Sequence, residues 1–526
     1  MKTSWKVLCF FIIIYVFLRP AEASVFFKTK TSTLYQVFEP LFSTFGYRQL
    51  TIQVFDEFTE KPLPNALVML GDQIQNGWYT NSEGIVSLDN ITLPQGPLTL
   101  TIAHPNYSRF TLLQIEAQYI EVGLTPLVDT RGKSWISGSL EQWPEMEDDD
   151  GIVHAGLVLP FLEMTSLLNF SAAHILAPNV KAKIYKDIDL PANITLPSQQ
   201  ESMWGLVPVY ISKPLYEFPF VKSETKNLIA LAGTLPFSKM ASGFLNKAPL
   251  TDLLNLYNLE QFNFVLNYPV PDQNTTLNIP LSYGLKPRFL VRTPTPPENK
   301  DIIYVSAGYF KNDPSLLFPL DFKVTARSAF NAATKLKSIY SQNQLPPLQE
   351  FILAMAADLP KQTDDTSPRD PAILGTVQRL HPTDTTIQIS GFLKPIDLSY
   401  QKDSFYYRFR SLPTTTNPDA QLAVSFINIE SQKNAKQKKP SQPFWTIISP
   451  STVQSFSLPK LPNTFSQWPR LEADQNLTWT LNVCGFNQKD VSLDLKNINS
   501  EQMANTLTHF SRNEMVLSQR IYGCCH

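Results

Sequence analysis

Prolines punctuate this chain so densely, 42 in 526 residues, that few stretches could form a long helix. Each proline removes a backbone donor and blocks a helix interior, while fitting turns, strand edges and extended connections. Between the prolines, apolar residues recur at every second position. Leu50, Ile52 and Val54 alternate with Thr51 and Gln53, and Leu98, Leu100 and Ile102 do the same. That period of two is the signature of a half-buried strand. Aromatics are plentiful (34 Phe, 19 Tyr, 8 Trp) and glycine is scarce at 19, which suits short strands joined by rigid turns. The expected fold class is all-β: tandem β-sandwich domains with one or two short helices.

The first 23 residues read as a targeting segment. Lys2 and Lys6 supply positive charge, Val7 to Leu18 an apolar core, and Ala21-Glu22-Ala23 a small-x-small cleavage pattern, so the mature chain is expected to start at Ser24. The apolar run falls short of the roughly 20 residues that span a bilayer, and no later segment is longer, so no transmembrane span is expected after cleavage. The expectation is an exported protein, periplasmic, cell-surface or extracellular, from a Gram-negative bacterium. A net charge of −2 offers no basic footprint for nucleic acid. The expected partner is a cell-surface protein or a polysaccharide.

Beyond the signal, residues 24–47 read as a linker, 48–128 as a first sandwich and 129–292 as a second β-rich region. The proline-rich 293–300 reads as another linker, and 301–526 as a C-terminal β-rich part. Ser134 to Leu140, Val207 to Ile211, Gln261 to Leu266, Thr276 to Leu281, Ile387 to Ile389, Phe405 to Phe409, Leu422 to Phe426 and Trp479 to Val483 all alternate. Pro360 to Pro371 and Ser431 to Pro440 read as polar surface loops. Two segments carry helical spacing: Ala326 to Tyr340, with Ala329, Ala332, Leu336 and Ile339 on one face, and a segment capped by Ser500, with Met503, Leu507 and Phe510.

The first sandwich has the most legible turns. Asp56 to Lys61 is polar, and Pro62-Leu63-Pro64 holds an extended path before Ala66, Val68 and Leu70 turn inward. Asn81-Ser82-Glu83-Gly84 closes a turn in which Gly84 can take the left-handed conformation. The phrase "VFDEFTEKPLPNALVML…YTNSEGIVSL…GPLTLTIAHPNY" resembles the carboxypeptidase regulatory-like domain, a transthyretin-like sandwich, over residues 48 to 125. Asn81 stands where that family usually has Asp, and Asn106 where Gly is common before Tyr107; Asn suits a turn nearly as well as either. The resemblance implies a non-catalytic spacer or assembly module. The zinc peptidase that gives the family its name is missing, since the chain has no His-x-x-Glu and its six histidines lack ligand spacing.

Candidate chemistry is sparse. Glu145, Glu147, Asp148, Asp149 and Asp150, followed by His154, could offer oxygens to Ca²⁺. Consecutive acids also repel and stay solvated, and no EF-hand spacing is present, so no cofactor is expected, with Ca²⁺ as the alternative at this run. Trp135, Trp143, Trp204 and Trp445 could line a sugar platform but fit core packing better. In an oxidising compartment Cys484 is expected to pair with Cys524 or Cys525, tying down the C-terminus. The terminal pair with His526 could instead hold a soft metal. Asn90, Asn106, Asn169, Asn193, Asn274 and Asn476 head Asn-x-Ser/Thr sequons. The reading is a non-enzymatic protein with a binding or structural role. The alternative is an all-β hydrolase or carbohydrate-active protein with a dispersed site.

Overall fold

The computed structural model describes residues 49–523 apart from internal segments, the longest of which are 89–97, 144–151, 168–175, 360–371, 410–420, 432–444, 462–476 and 487–513. The proposed signal peptide, the Ser500-capped segment and both polar loops, Ser431 excepted, lie outside the described residues. What is described is overwhelmingly strand, arranged in several sheets.

The chain opens with seven strands: β1 (Leu50–Asp56), β2 (Leu67–Leu70), β3 (Gly77–Tyr79), β4 (Ile85–Leu88), β5 (Leu98–Ala103), β6 (Arg109–Ile115) and β7 (Tyr119–Leu124). They form two facing layers, β4-β1-β7 and β6-β5-β2-β3. Leu50, Ile52 and Val54 of β1 face Ala66, Val68, Leu70, Leu100 and Ile102 in one core. Pro62 bridges to Phe55, and Leu63 N donates to Val54 O at 2.9 Å, so the prolines hold an extended segment against the edge of β1. Thr80 locks the next step, its Oγ1 accepting from Ala66 N at 2.9 Å and donating to Leu63 O at 2.7 Å. Asn81 needs no left-handed backbone: its Oδ1 caps Glu83 N and Ile85 N, each at 2.9 Å. Gly84, at φ +72°, does.

The second layer of this module does not end at β6. Trp445–Pro450 pairs parallel to β6, Trp445 opposite Arg109 and Ile448 opposite Leu112, making the layer one end of a 13-stranded sheet. Trp445 is 1% exposed and donates from Nε1 to Thr111 Oγ1 at 2.9 Å, with the Arg109 guanidinium 5.2 Å from its ring centroid. It packs as core and forms no sugar platform. The sheet continues through Gln421–Ser431, Leu477–Phe486, Glu514–Gly523, Ile373–Arg379 and Leu348–Ala357 to Asp301–Phe310 and Asp313–Thr325. Tyr309, Phe351, Leu353, Val377, Ile448 and Cys484 from this stretch share the core of the first module.

An eight-stranded sheet carries Ile152–Pro160, Thr225–Pro236 and Asn258–Pro269 side by side. Regular helix among the described residues is brief, for example Leu250–Leu254. The helix expected across Ala326 to Tyr340 is corrected: Ala333–Ser338 is a strand, antiparallel to Lys286–Arg292 with Leu336 opposite Phe289. Leu336 packs with Phe289 and Ile352, while Ile339 joins a different cluster around Phe262 and Phe318, so their spacing marks two cores and no helix face.

Candidate functional site

A knot of titratable and polar side chains gathers where Asn258–Pro269 begins, and local sequence explains how. The turn Leu250–Leu254 delivers Asn255 to Asp313–Thr325, where its side chain pairs with Val324 as another strand would: Nδ2 donates to Val324 O at 2.6 Å and Oδ1 accepts from Val324 N at 2.9 Å. Gly233, beside a β-bulge in Thr225–Pro236, lets the backbone of Asn258 and Leu259 approach closely; a Cβ there would meet Leu259 Cα at 2.8 Å. Tyr257 donates its hydroxyl to Ala155 O at 2.9 Å.

With the backbone so fixed, Glu260 Oε1 accepts from Thr234 Oγ1 at 2.8 Å and from Asn258 Nδ2 at 2.7 Å. Asn258 Oδ1 accepts from Lys337 Nζ at 2.7 Å, and Leu259 O accepts from the same amine. Asp321, 3% exposed, accepts from Lys337 N at 2.9 Å and from Phe322 N at 2.9 Å. Burial lowers the Lys337 amine below its usual range, opposed by the charges of Asp321 and Glu260. Burial likewise raises the Asp321 carboxyl, opposed by its hydrogen bond from Lys337 N and by Lys323 and Lys337. Desolvation thus pushes both members of this pair toward neutrality.

His154 is a neighbour of this cluster. It lies on Ile152–Pro160 opposite Thr234, 7% exposed, its ring 5.4 Å from that of Trp143. Burial lowers its pKa and the Glu260 carboxylate opposes the shift. Asp148, Asp149 and Asp150 lie outside the described residues. Among the described residues no group of three or more His, Cys, Asp or Glu is placed to hold a metal ion. Trp135 is half-buried, and Trp143 packs against a core that includes Ile136, Leu140 and Tyr216, with Nε1 donating to Leu140 O at 2.8 Å.

The register of the C-terminal strands bears on the expected disulfide. Cys484 is a free, fully buried thiol opposite Leu517, and burial raises its pKa. Gly523, the last described residue before Cys524, stands opposite Thr478. At roughly 3.3 Å per residue the six-residue offset is about 20 Å. Disulfide-bonded residues have Cα atoms no more than about 7 Å apart. Gly523 therefore stands well away from Cys484 along the ladder, and the expected pairing itself falls on cysteines outside the described residues. Cys524, Cys525 and His526 lie outside the described residues.

Of the sequons, Asn106 and Asn274 are exposed, whereas Asn193 is fully buried, with Nδ2 donating to Val158 O at 2.8 Å and Oδ1 accepting from Ala177 N at 2.9 Å. Asn193 is a structural bracket in the folded chain and no glycan acceptor. Beside it, Lys213 is 7% exposed, and its Nζ donates to Ala192 O, Ile194 O and Leu215 O at 2.7, 2.6 and 2.7 Å. Burial lowers its pKa to about 8, opposed by the charge of Glu217. A folded-state pKa below the unfolded 10.5 means the unfolded chain holds more protons between those values, so stability rises with pH from about 8 to 10.5. The three carbonyls favour the ammonium and limit the gain to roughly 1–3 kcal/mol. Urea midpoints at the two ends of this window, for the natural chain and Lys213→Met, should diverge by that increment. Parallel pH slopes would remove Lys213 as the cause.

No known protein family and no curated protein matches this chain. Among solved structures, a candidate carbohydrate-binding protein from Bacteroides uniformis is 8% identical, covering 42% of this chain and 98% of its own, with a TM-score of 0.13. The shaft pilin SpaA from Lactobacillus rhamnosus GG is 10% identical over 45% of this chain and 98% of its own, at 0.12. BcpA, the major pilin subunit of Bacillus cereus, is 10% identical over 65% and 98%, at 0.14. Superpositions this poor carry no functional weight.

Proposed function

We propose that this is an exported, non-enzymatic β-sandwich protein with a structural or binding role at the cell surface or in the periplasm, its partner a surface protein or polysaccharide. The observation that supports this reading most is the 13-stranded sheet that runs from the opening module through the C-terminal strands with a shared core. Continuous hydrogen-bond ladders couple distant parts of the chain into one body suited to bearing load or presenting a surface. The likeness of residues 48 to 125 to a carboxypeptidase regulatory-like module fits the same role. Its turn chemistry is consistent with that: Asp56 caps Phe58 N and Thr59 N at 2.9 and 2.8 Å, and accepts from the Tyr107 hydroxyl at 2.7 Å.

Fractionation of cells producing the full chain, with protease added to intact and to permeabilised cells, tests the location. The mature protein is expected in the exported fraction, cut without lysis if it is surface-displayed. A glycan array and a panel of polysaccharide turnover assays test the role. Retention in the cytoplasm, or steady hydrolysis of a polysaccharide, would overturn the reading.

A further inference from the structure

Lys286–Arg292, Ala333–Ser338 and Thr386–Gln388 form a three-stranded sheet whose two faces differ in chemistry. The inner face sends Phe289, Val291, Leu336 and Ile387 into one core. On the outer face Lys335 and Thr386 stand on either side of Leu290, and Gln388 stands beside Arg292. Arg292, Lys335, Thr386 and Gln388 are exposed, and Arg288 and Leu290 are half-buried. The three strands hold five basic residues and no acidic one, in a chain that balances 44 basic against 46 acidic residues. One of the five, Lys337, is buried and belongs to the cluster around Asp321. Lys286, Arg292 and Lys335 have no ion-pair partner among the described residues. Asp384, the acid nearest along the chain to Thr386, is itself engaged, its Oδ2 accepting from His381 N at 2.9 Å.

We propose that this outer face binds an acidic polysaccharide, whose carboxylates Arg288, Arg292 and Lys335 hold. A guanidinium offers paired donors that match a carboxylate, and an ammonium adds a point charge. At about 3.3 Å per residue, Arg288 and Arg292 lie about 13 Å apart along their strand, and Lys335 stands about 4.8 Å to one side of the midpoint. One extended polymer crossing this triangle engages several anionic groups at once, each pair weak by itself. Thr386 and Gln388 line the other side of Leu290 and supply a hydroxyl and a carboxamide to sugar hydroxyls. The half-buried Leu290 gives a sugar ring an apolar seat between them. A single-stranded nucleic acid draws on stacking against aromatic rings, and the one aromatic of these strands, Phe289, faces inward. A lipid surface uses the charges and leaves Thr386 and Gln388 without a role. This inference names the chemical class of the polysaccharide partner given above, and rests on that reading for where the polymer is met.

Calorimetric titration of the full-length protein with polygalacturonate, neutral dextran and vesicles of anionic lipid tests it. Polygalacturonate is expected to bind in preference to the other two. Raising salt from about 0.1 M to about 1 M shortens the screening length from about 10 Å to about 3 Å and should weaken that binding about tenfold or more. Arg292→Glu combined with Lys335→Glu should lose it by about the same factor. Lys61→Glu combined with Lys239→Glu makes the same change of net charge at two exposed lysines elsewhere and should keep it. Arg292→Gln with Lys335→Gln removes charge without adding repulsion and should fall between, while circular dichroism reports the native strand content of each variant. Equal losses in the two glutamate pairs, or binding to the vesicles without binding to polygalacturonate, overturns the proposal. Binding to dextran that neither pair alters overturns it and leaves a polysaccharide partner standing. Binding to none of the three overturns it too, and the location is decided separately by the fractionation above.

Discussion

A valine at position 84 is expected to destabilise the protein by more than about 3 kcal/mol, combining left-handed backbone strain with a steric collision. Gly84 sits at φ +72°, where L side chains are strained and β-branched ones most of all. Any Cβ there would run into Val54 O, with Leu63 N at 3.0 Å and Pro62 Cα at 3.4 Å behind it. These neighbours cannot move cheaply. Val54 N donates to Gly84 O at 2.8 Å, Leu63 N to Val54 O at 2.9 Å and Gly84 N to Asn81 O at 3.0 Å, so relief at one point breaks ladder bonds at others. Gly71 provides the control. Its φ is +75°, yet a Cβ would meet nothing within 4 Å, so Gly71→Ala should cost only about 1 kcal/mol of backbone strain. Urea unfolding of the two variants separates the contributions. Equal losses would mean that the packing around Gly84 is not what the structure shows.

Phe351→Ala is expected to cost about 3–5 kcal/mol, the usual range for emptying a buried phenylalanine site. Phe351 is 2% exposed on Leu348–Ala357, its ring 6.4 Å from that of Tyr309, in the core that the opening module shares with the large sheet. The loss should therefore be felt on both sides. Amide exchange at Ile52 of β1 and Leu100 of β5 should speed up together with that at Leu353. If only amides of the Leu348–Ala357 strand and its neighbours lost protection, the shared core would be refuted.

Much of the strand inventory was legible because most strands bury one face. The row Leu50, Ile52, Val54 shows in the sequence the alternation that burial imposes, and Gly84 announced its turn by chemistry alone. The segment at 326–340 misled because local spacing competes with pairing. Leu336 and Ile339 are three apart, which suits a helix, but pairing with Lys286–Arg292 makes 333–338 a strand and sends the two side chains into different cores. The candidate site was not legible at all. Asn258, Glu260, Asp321 and Lys337 span some 80 residues with no fixed spacing, and each is individually an ordinary polar residue of a strand. Only a bulge at Gly233 and a side chain acting as a strand at Asn255 bring them together.

The parallel pairing of Trp445–Pro450 with β6 sets an order on how the chain can be finished. Contacts separated by more than 300 residues are costly to close early and form late. As the polypeptide grows from its N-terminus, β1 to β7 emerge first, but β6 keeps an open edge until residue 445 has been made. An unpaired edge is a template for any strand that meets it. A product truncated before Trp445 therefore carries an N-terminal module whose sheet is still open to a partner.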